Sequence, residues 1–247
     1  MPLQISRGSR QFKAPWGMVA AALLVTLVFI HLGRWQWYRA EYKRALAAAF
    51  VNDAGRVTAL GSRPLAQLLR YTHVQAEGLY DSAHQFLLDN MTRDGRVGYE
   101  VLTPLTLVDG RVVLVNRCWL PLPAEGRARL PNVSFVALPD VTVTGKIDEL
   151  PVTGLAMGRA PPDGGPNWPK RTSFPDSAQL AASLGRPLEG RQLLLDADQP
   201  QGYRRDWKPA SAGFGPERHL AYAIQWWGLA ALTLFLLIFL NLKKRQP

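Results

Sequence analysis

Two long stretches of this chain carry no carboxylate, ammonium or guanidinium side chain. Residues 14–33, APWGMVAAALLVTLVFIHLG, and residues 219–242, HLAYAIQWWGLAALTLFLLIFLNL, contain no Asp, Glu, Lys or Arg. Roughly 20 apolar residues, at about 1.5 Å of rise each in a helix, span the ~30 Å hydrocarbon core of a bilayer. A helix buried inside a soluble core is the competing reading, and the absence of charge on every face argues against it. Both stretches are therefore expected to be transmembrane helices. The first is expected to stay in place as an anchor, because the HLGRWQWYR that follows it offers bulky aromatics where a signal peptidase needs small residues.

Charge sets the expected orientation. Arg7, Arg10 and Lys13 precede the first run and Lys243, Lys244 and Arg245 follow the second, with no acid in either tail. Both tails are predicted to be cytoplasmic. The basic cluster Arg34, Arg39, Lys43 and Arg44 on the outer side argues mildly the other way, but long domains translocate largely regardless of charge. Six of the 29 basic residues lie in the tails, and the 23 left against 19 acids make residues 34–218 only about +4. The formal +10 thus reports topology, and nucleic-acid binding loses its main support. The expected plan is a tail at 1–13, helix at 14–33, extracytoplasmic domain at 34–218, helix at 219–242 and tail at 243–247. With the first apolar run starting near residue 14, a bacterial cytoplasmic membrane is expected over a mitochondrial one that needs a presequence.

Cys118 is the single cysteine. No internal disulfide, CxxC redox motif, CxxCH haem attachment or CxxxC copper site can be built from it. It lies in the apolar segment VVLVNRCWL and is read as a small buried thiol. No GxSxG or HExxH motif or paired metal-ligand spacing appears, so the chain is not expected to be an enzyme.

Between the two runs the apolar period changes. WQWYRAEYK and ALAAAF continue the first helix beyond the membrane, and RPLAQLL adds a short helix behind Pro64. Strands are then predicted at Tyr71–Leu79, Gln85–Asp89, Gly98–Leu107, Arg111–Leu120 and Val141–Asp148. The Asp-Gly turn at Asp109 and Gly110 predicts an antiparallel hairpin. A Pro- and Gly-rich surface loop at Gly158–Arg171, a helix near Asp176–Leu184 and a last strand in QLLLDA complete the domain. The expected fold is a membrane protein of the α+β class: two transmembrane helices flanking an antiparallel β-rich barrel or sandwich with peripheral helices.

Five stretches, LGRWQWYR, GLYDSAHQFLL, YEVLTPL, VVLVNRCWLP and ERHLAYAIQWWGLA, occur in an order that resembles the Surfeit locus protein 1 family. These are membrane assembly factors for haem-copper cytochrome oxidase. The first and last stretches are the most specific, combining Trp, Gln, Arg and His at fixed spacing at the mouths of the two helices. The resemblance implies help in making oxidase subunit I by receiving or holding haem a, non-covalently and transiently. The implied partners are subunit I or its assembly intermediates, or an enzyme of haem a synthesis. A cofactor-free chaperone docking on oxidase subunits would carry the same topology and motifs. In one respect the chain departs from the pattern, since the family usually has Gly where Cys118 stands.

The residues offer a haem arrangement beside that resemblance. His219 and Trp226 are seven apart and share a helix face, with Tyr222 and Ala223 between them. An imidazole can ligate haem iron and an indole can pack on a porphyrin, and the family's proposed haem-linked His and Trp map onto these two positions. Interfacial Trp, Tyr and His also gather for amphipathic reasons alone. His31 is a weaker second candidate. His73 and His84 fall in predicted strands without acids at ligand spacing and are read as structural or exposed. Arg34, Arg39, Arg204, Arg205 and Arg218 are placed just outside the membrane, to meet propionates or lipid headgroups.

Overall fold

The computed structural model describes residues 2–7, 10–52, 57–152, 158–209 and 214–244. They form two units, residues 1–45 with 213–247 and residues 46–212.

The first unit contains both apolar runs. Helix α1 (Trp16–Asn52) is one continuous helix of 37 residues, about 55 Å long at the usual rise, and its last turns belong to the second unit. Helix α3 (Pro216–Asn241) starts with Pro at its first position, where the missing N–H costs no hydrogen bond. Both are long and apolar enough to cross a membrane, and most of their large apolar side chains are exposed, as lipid-facing side chains would be. Three polar side chains of the apolar runs bond back into their own helix: Thr26 donates to the Ala22 carbonyl, Thr233 to that of Leu229 and Asn241 to that of Leu237, at 2.8, 2.8 and 2.9 Å. Such back-bonding spares those donors an unpaired state in an apolar setting. The helices pack where residues are small. Ala223 and Ala230 are buried, and a Cβ on Gly33 would lie 2.3 Å from the Trp227 indole nitrogen.

The tails hold strands that no sequence signal announces. Strand β1 (Pro2–Arg7) pairs antiparallel with β2 (Arg10–Pro15), and β2 pairs with β11 (Leu242–Lys244). Arg245, counted with the basic tail, lies outside the described residues.

The second unit is built on a sheet of β3 (Thr58–Ala59), β4 (His73–Tyr80), β5 (Phe86–Arg93), β6 (Arg96–Leu107), β7 (Val112–Pro121), β8 (Val141–Asp148), β9 (Lys170–Thr172) and β10 (Gln192–Leu195). Pairing runs β4–β8–β10–β7–β6, and β6 returns to β4 through Gly78↔Leu107, Leu79↔Thr106 and Tyr80↔Leu105. The hydrogen-bonded circuit therefore closes on five strands. Gly78 makes the closure possible, because a Cβ there would sit 2.3 Å from the Thr106 carbonyl oxygen. The expected all-antiparallel arrangement is corrected: β10–β7, β3–β4 and β5–β9 are parallel. Parallel neighbours come from distant parts of the chain and leave no hairpin turn in the sequence.

Apolar side chains of the five strands fill the circuit, among them Val74, Ala76, Leu105, Val115, Ile147 and Leu193. Outside it, helix α2 (Ser177–Leu184) sets Leu180 against Phe86, Leu88, Leu102 and Leu114. Asp176 and Gln179 cap α2 reciprocally, and Gly185 ends it in the left-handed region. The helix expected behind Pro64 is a single 3-10 turn at Leu65–Gln67. His84, expected in a strand, sits in the turn before β5 with Nδ1–H donating to Asp81 at 2.8 Å, so it does have an acid at helical spacing.

Cys118 has φ +74°, in the left-handed region that L side chains avoid. Opposite Val101 of β6 stand two residues of β7, Arg117 and Cys118, so this is a bulge, and Asn116 Oδ1 accepts from the Cys118 N–H at 2.9 Å. The bulge explains why glycine suits the position. Cys118→Gly should leave the thermal midpoint close to wild type, since relief of about 1 kcal/mol of backbone strain offsets the lost burial of a small side chain. Cys118→Val should lower it clearly, because β-branching makes the same conformation worse. A large loss for the glycine variant would show that thiol packing, not backbone, governs the site.

Candidate functional site

His219 stands in the first turn of α3, half-buried, its backbone N–H bonded to Gly215. Its Nδ1–H donates to Gln36 Oε1 of α1 at 2.7 Å. Nε2 makes no hydrogen bond to a described residue. Phe214 lies with its ring centre 6.4 Å from the imidazole and 6.2 Å from the Tyr222 ring, and Arg218 sits 4.6 Å over Phe214. Arg39 and Lys43 of α1 are the cations whose charge reaches His219.

The shared face of His219 and Trp226 is the one turned to α1. Trp226 stacks on Phe29 with centres 5.5 Å apart, and Trp37 meets Trp227 at 5.9 Å. One face of the Trp226 indole is thus engaged by a neighbouring helix. Tyr222 is brought to Phe214, not to Trp226, and remains 38% exposed. The partner of His219 on α1 is Gln36, and His31 lies exposed on the same helix. Gln36 is the contact of His219 that sequence reasoning passed over. It stands within the LGRWQWYR stretch, but its contact with His219 spans 183 residues of chain and has no spacing signature.

Several expected cations are committed elsewhere. Arg204 pairs with Asp94 at 2.6 Å, and Arg205 donates to the carbonyls of Asp196 and Gln199. Arg34 donates to the Tyr38 hydroxyl at 3.4 Å, and Arg39 lies 5.6 Å over Tyr42.

Within the second unit, His73 is buried and its Nε2–H donates to Asp196 at 2.5 Å, an acid 123 residues away that no local spacing would reveal. The pair lines a cavity of about 490 Å³ with Phe50, Lys146, Arg205 and Trp207. Lys146 donates to the Phe50 carbonyl and lies 4.2 Å over its ring, so this cation already closes the end of α1. Among the described residues no three His, Cys, Asp or Glu side chains gather as a metal site.

Chemically, the first unit offers the His219 imidazole, with one nitrogen held by an amide oxygen and the other unbonded among the described residues, aromatic rings beside it and guanidinium groups on the same helices. That donor set fits a flat, apolar, iron-bearing macrocycle with acidic substituents. Residues 23–231 match the model of the SURF1 family. A SURF1-like protein of Monosiga brevicollis is 25% identical over 254 aligned positions, covering 92% of this chain and 88% of the relative. The Surfeit locus protein 1 of Xenopus tropicalis is 24% identical over 243, covering 87% and 72%.

Proposed function

Since the chain belongs to the SURF1 family, we propose that it is an assembly factor for haem-copper cytochrome c oxidase that receives or holds haem a for subunit I. In this reading it is not an enzyme. It sits in a bacterial cytoplasmic membrane with both tails inside and residues 34–218 outside. Its direct partner is subunit I, an assembly intermediate of the oxidase, or an enzyme of haem a synthesis.

The observation that carries the cofactor reading is the state of His219: Nδ1–H is spent on Gln36 and Nε2 is open. Haem bound there would supply an iron centre that takes the Nε2 lone pair. Phe214 and Tyr222 offer apolar contact beside it, and Arg218 offers charge to propionates. Nothing in this arrangement is covalent, so release to a partner needs only ligand exchange.

A cofactor-free chaperone is the second reading, and the stacking of Trp226 on Phe29 favours it, because that indole is occupied without any ligand. Absorption spectra of the full chain purified from cells that make haem a separate the two. A Soret band that responds to reduction supports the haem reading, and a colourless protein that still restores oxidase assembly supports the chaperone.

Topology is tested by thiol labelling. The native thiol is a poor reporter, since burial pushes Cys118 up to about 12 and its side chain has no solvent contact. Gly164 is exposed, with open space around its Cα. Gly164→Cys should be labelled by a membrane-impermeant maleimide in intact spheroplasts while the wild type is not. Protection of the new thiol until the membrane is broken would reverse the proposed orientation.

A further inference from the structure

We propose that Gln36 is the positioning residue of the cofactor site: it sets the tautomer of His219 and keeps the grip on iron weak enough for transfer. This rests on the haem reading above. Gln36 turns its amide oxygen, an acceptor, toward Nδ1, which puts the proton of His219 on Nδ1 and the ligating lone pair on Nε2. Without that acceptor a neutral imidazole divides between two tautomers and turns about its side-chain bonds, and each costs affinity.

Helix packing holds the acceptor in place. Phe29 of α1 meets Trp226 of α3, and Gln36 meets His219. The step is seven residues up one helix and seven down the other, two turns on each, so the two contacts lie on one antiparallel seam. Between them Gly33 lets the Trp227 indole come close to the α1 backbone, which a larger residue would prevent. The register that places Gln36 opposite His219 is therefore built into the seam.

The identity of the acceptor matters as much as its place. A carboxylate at residue 36 would draw the Nδ1 proton more strongly, make Nε2 a stronger donor and favour ferric iron. An amide draws it less. For a protein that must pass its ligand on, the amide gives orientation without a tight hold.

Titration of haem a into the detergent-purified full chain, with wild type, His219→Ala, Gln36→Leu and Gln36→Glu compared, tests this. Gln36→Leu should weaken binding on the order of 10- to 100-fold. Gln36→Glu should bind at least as tightly as wild type, shift the midpoint potential downward and raise the iron–histidine stretching frequency. A purely structural amide would move neither of those two readouts. Thermal unfolding of each variant shows whether it is folded, and the glutamate variant keeps the test open if the leucine variant is not. Wild-type affinity for Gln36→Leu together with an unmoved potential and frequency for Gln36→Glu would overturn the role of Gln36 alone. Failure of wild type to bind, or full binding by His219→Ala, would overturn the haem reading and this inference with it.

Discussion

His219→Ala is expected to strip the protein of haem: the Soret band of the purified variant should vanish, and oxidase activity in the host should fall in parallel. The expectation follows from a single open imidazole nitrogen at the site. His219 presents Nε2, and among the described residues the side chains in contact with it, Gln36 and Phe214, offer hydrogen bonding and packing but no second nitrogen or sulfur ligand. On the proposed haem reading, removing His219 removes the anchoring bond, whereas removing a packing residue removes only part of the contact. Trp226→Ala should accordingly weaken binding while leaving the ligand and its spectrum, the more so because its indole is partly spent on Phe29. Absorption spectra before and after reduction, with haem quantified per protein, read both variants. Full haem and an unaltered spectrum in His219→Ala would sink the ligand assignment.

Trp119→Ala should cost roughly 3 to 5 kcal/mol, the range for emptying a buried indole site, out of a total domain stability of about 5 to 15. Trp119 is buried at the far side of the β7 bulge, and its Nε1–H donates to the Met91 carbonyl at 2.8 Å. The indole lies across Gly98 so closely that a Cβ there would be 2.6 Å from the ring and 2.2 Å from the Leu120 carbonyl oxygen. The alanine variant thus leaves a cavity bounded by two backbones that cannot collapse into it, and it orphans a carbonyl as well. Thermal unfolding of the full chain, followed by circular dichroism, should show the midpoint lowered on the order of 10 °C. An unchanged midpoint would mean the indole contributes nothing to the fold, and a partner-binding role would then account for it better.

How much of this was legible before the fold was known depends on how local each feature is. Strand β8 falls on the predicted Val141–Asp148, and the Asp109–Gly110 turn joins β6 to β7 as expected, because alternation and turn chemistry are written in adjacent residues. Asp176 capping α2 is of the same kind. The tail strands and the very short β3 and β9 carry no such pattern; each is a strand only because a partner lies beside it. Cys118 is an intermediate case. A glycine usual at that place hinted at an unusual backbone, but the left-handed φ and the bulge needed the paired strands to be seen. At the site, the seven-residue step placed His219 and Trp226 on one face, and both do meet α1. What they meet there, Gln36 and Phe29, and the diversion of Tyr222 to Phe214, depended on the register between helices far apart in sequence.

Strand β10 has a bearing on how the molecule is made. It is the last of the five circuit strands to emerge, at Gln192–Leu195, yet it lies between β8 and β7 and is hydrogen-bonded to both. Until those four residues arrive, β7 and β8 each keep an unpaired edge, and such edges invite pairing with other chains. Only about 20 residues separate β10 from the start of α3, so the domain completes itself only as the second long apolar helix is about to be made. Synthesis halted before residue 192 would leave a sheet with two open edges and no second apolar helix, a species for quality-control proteases to remove.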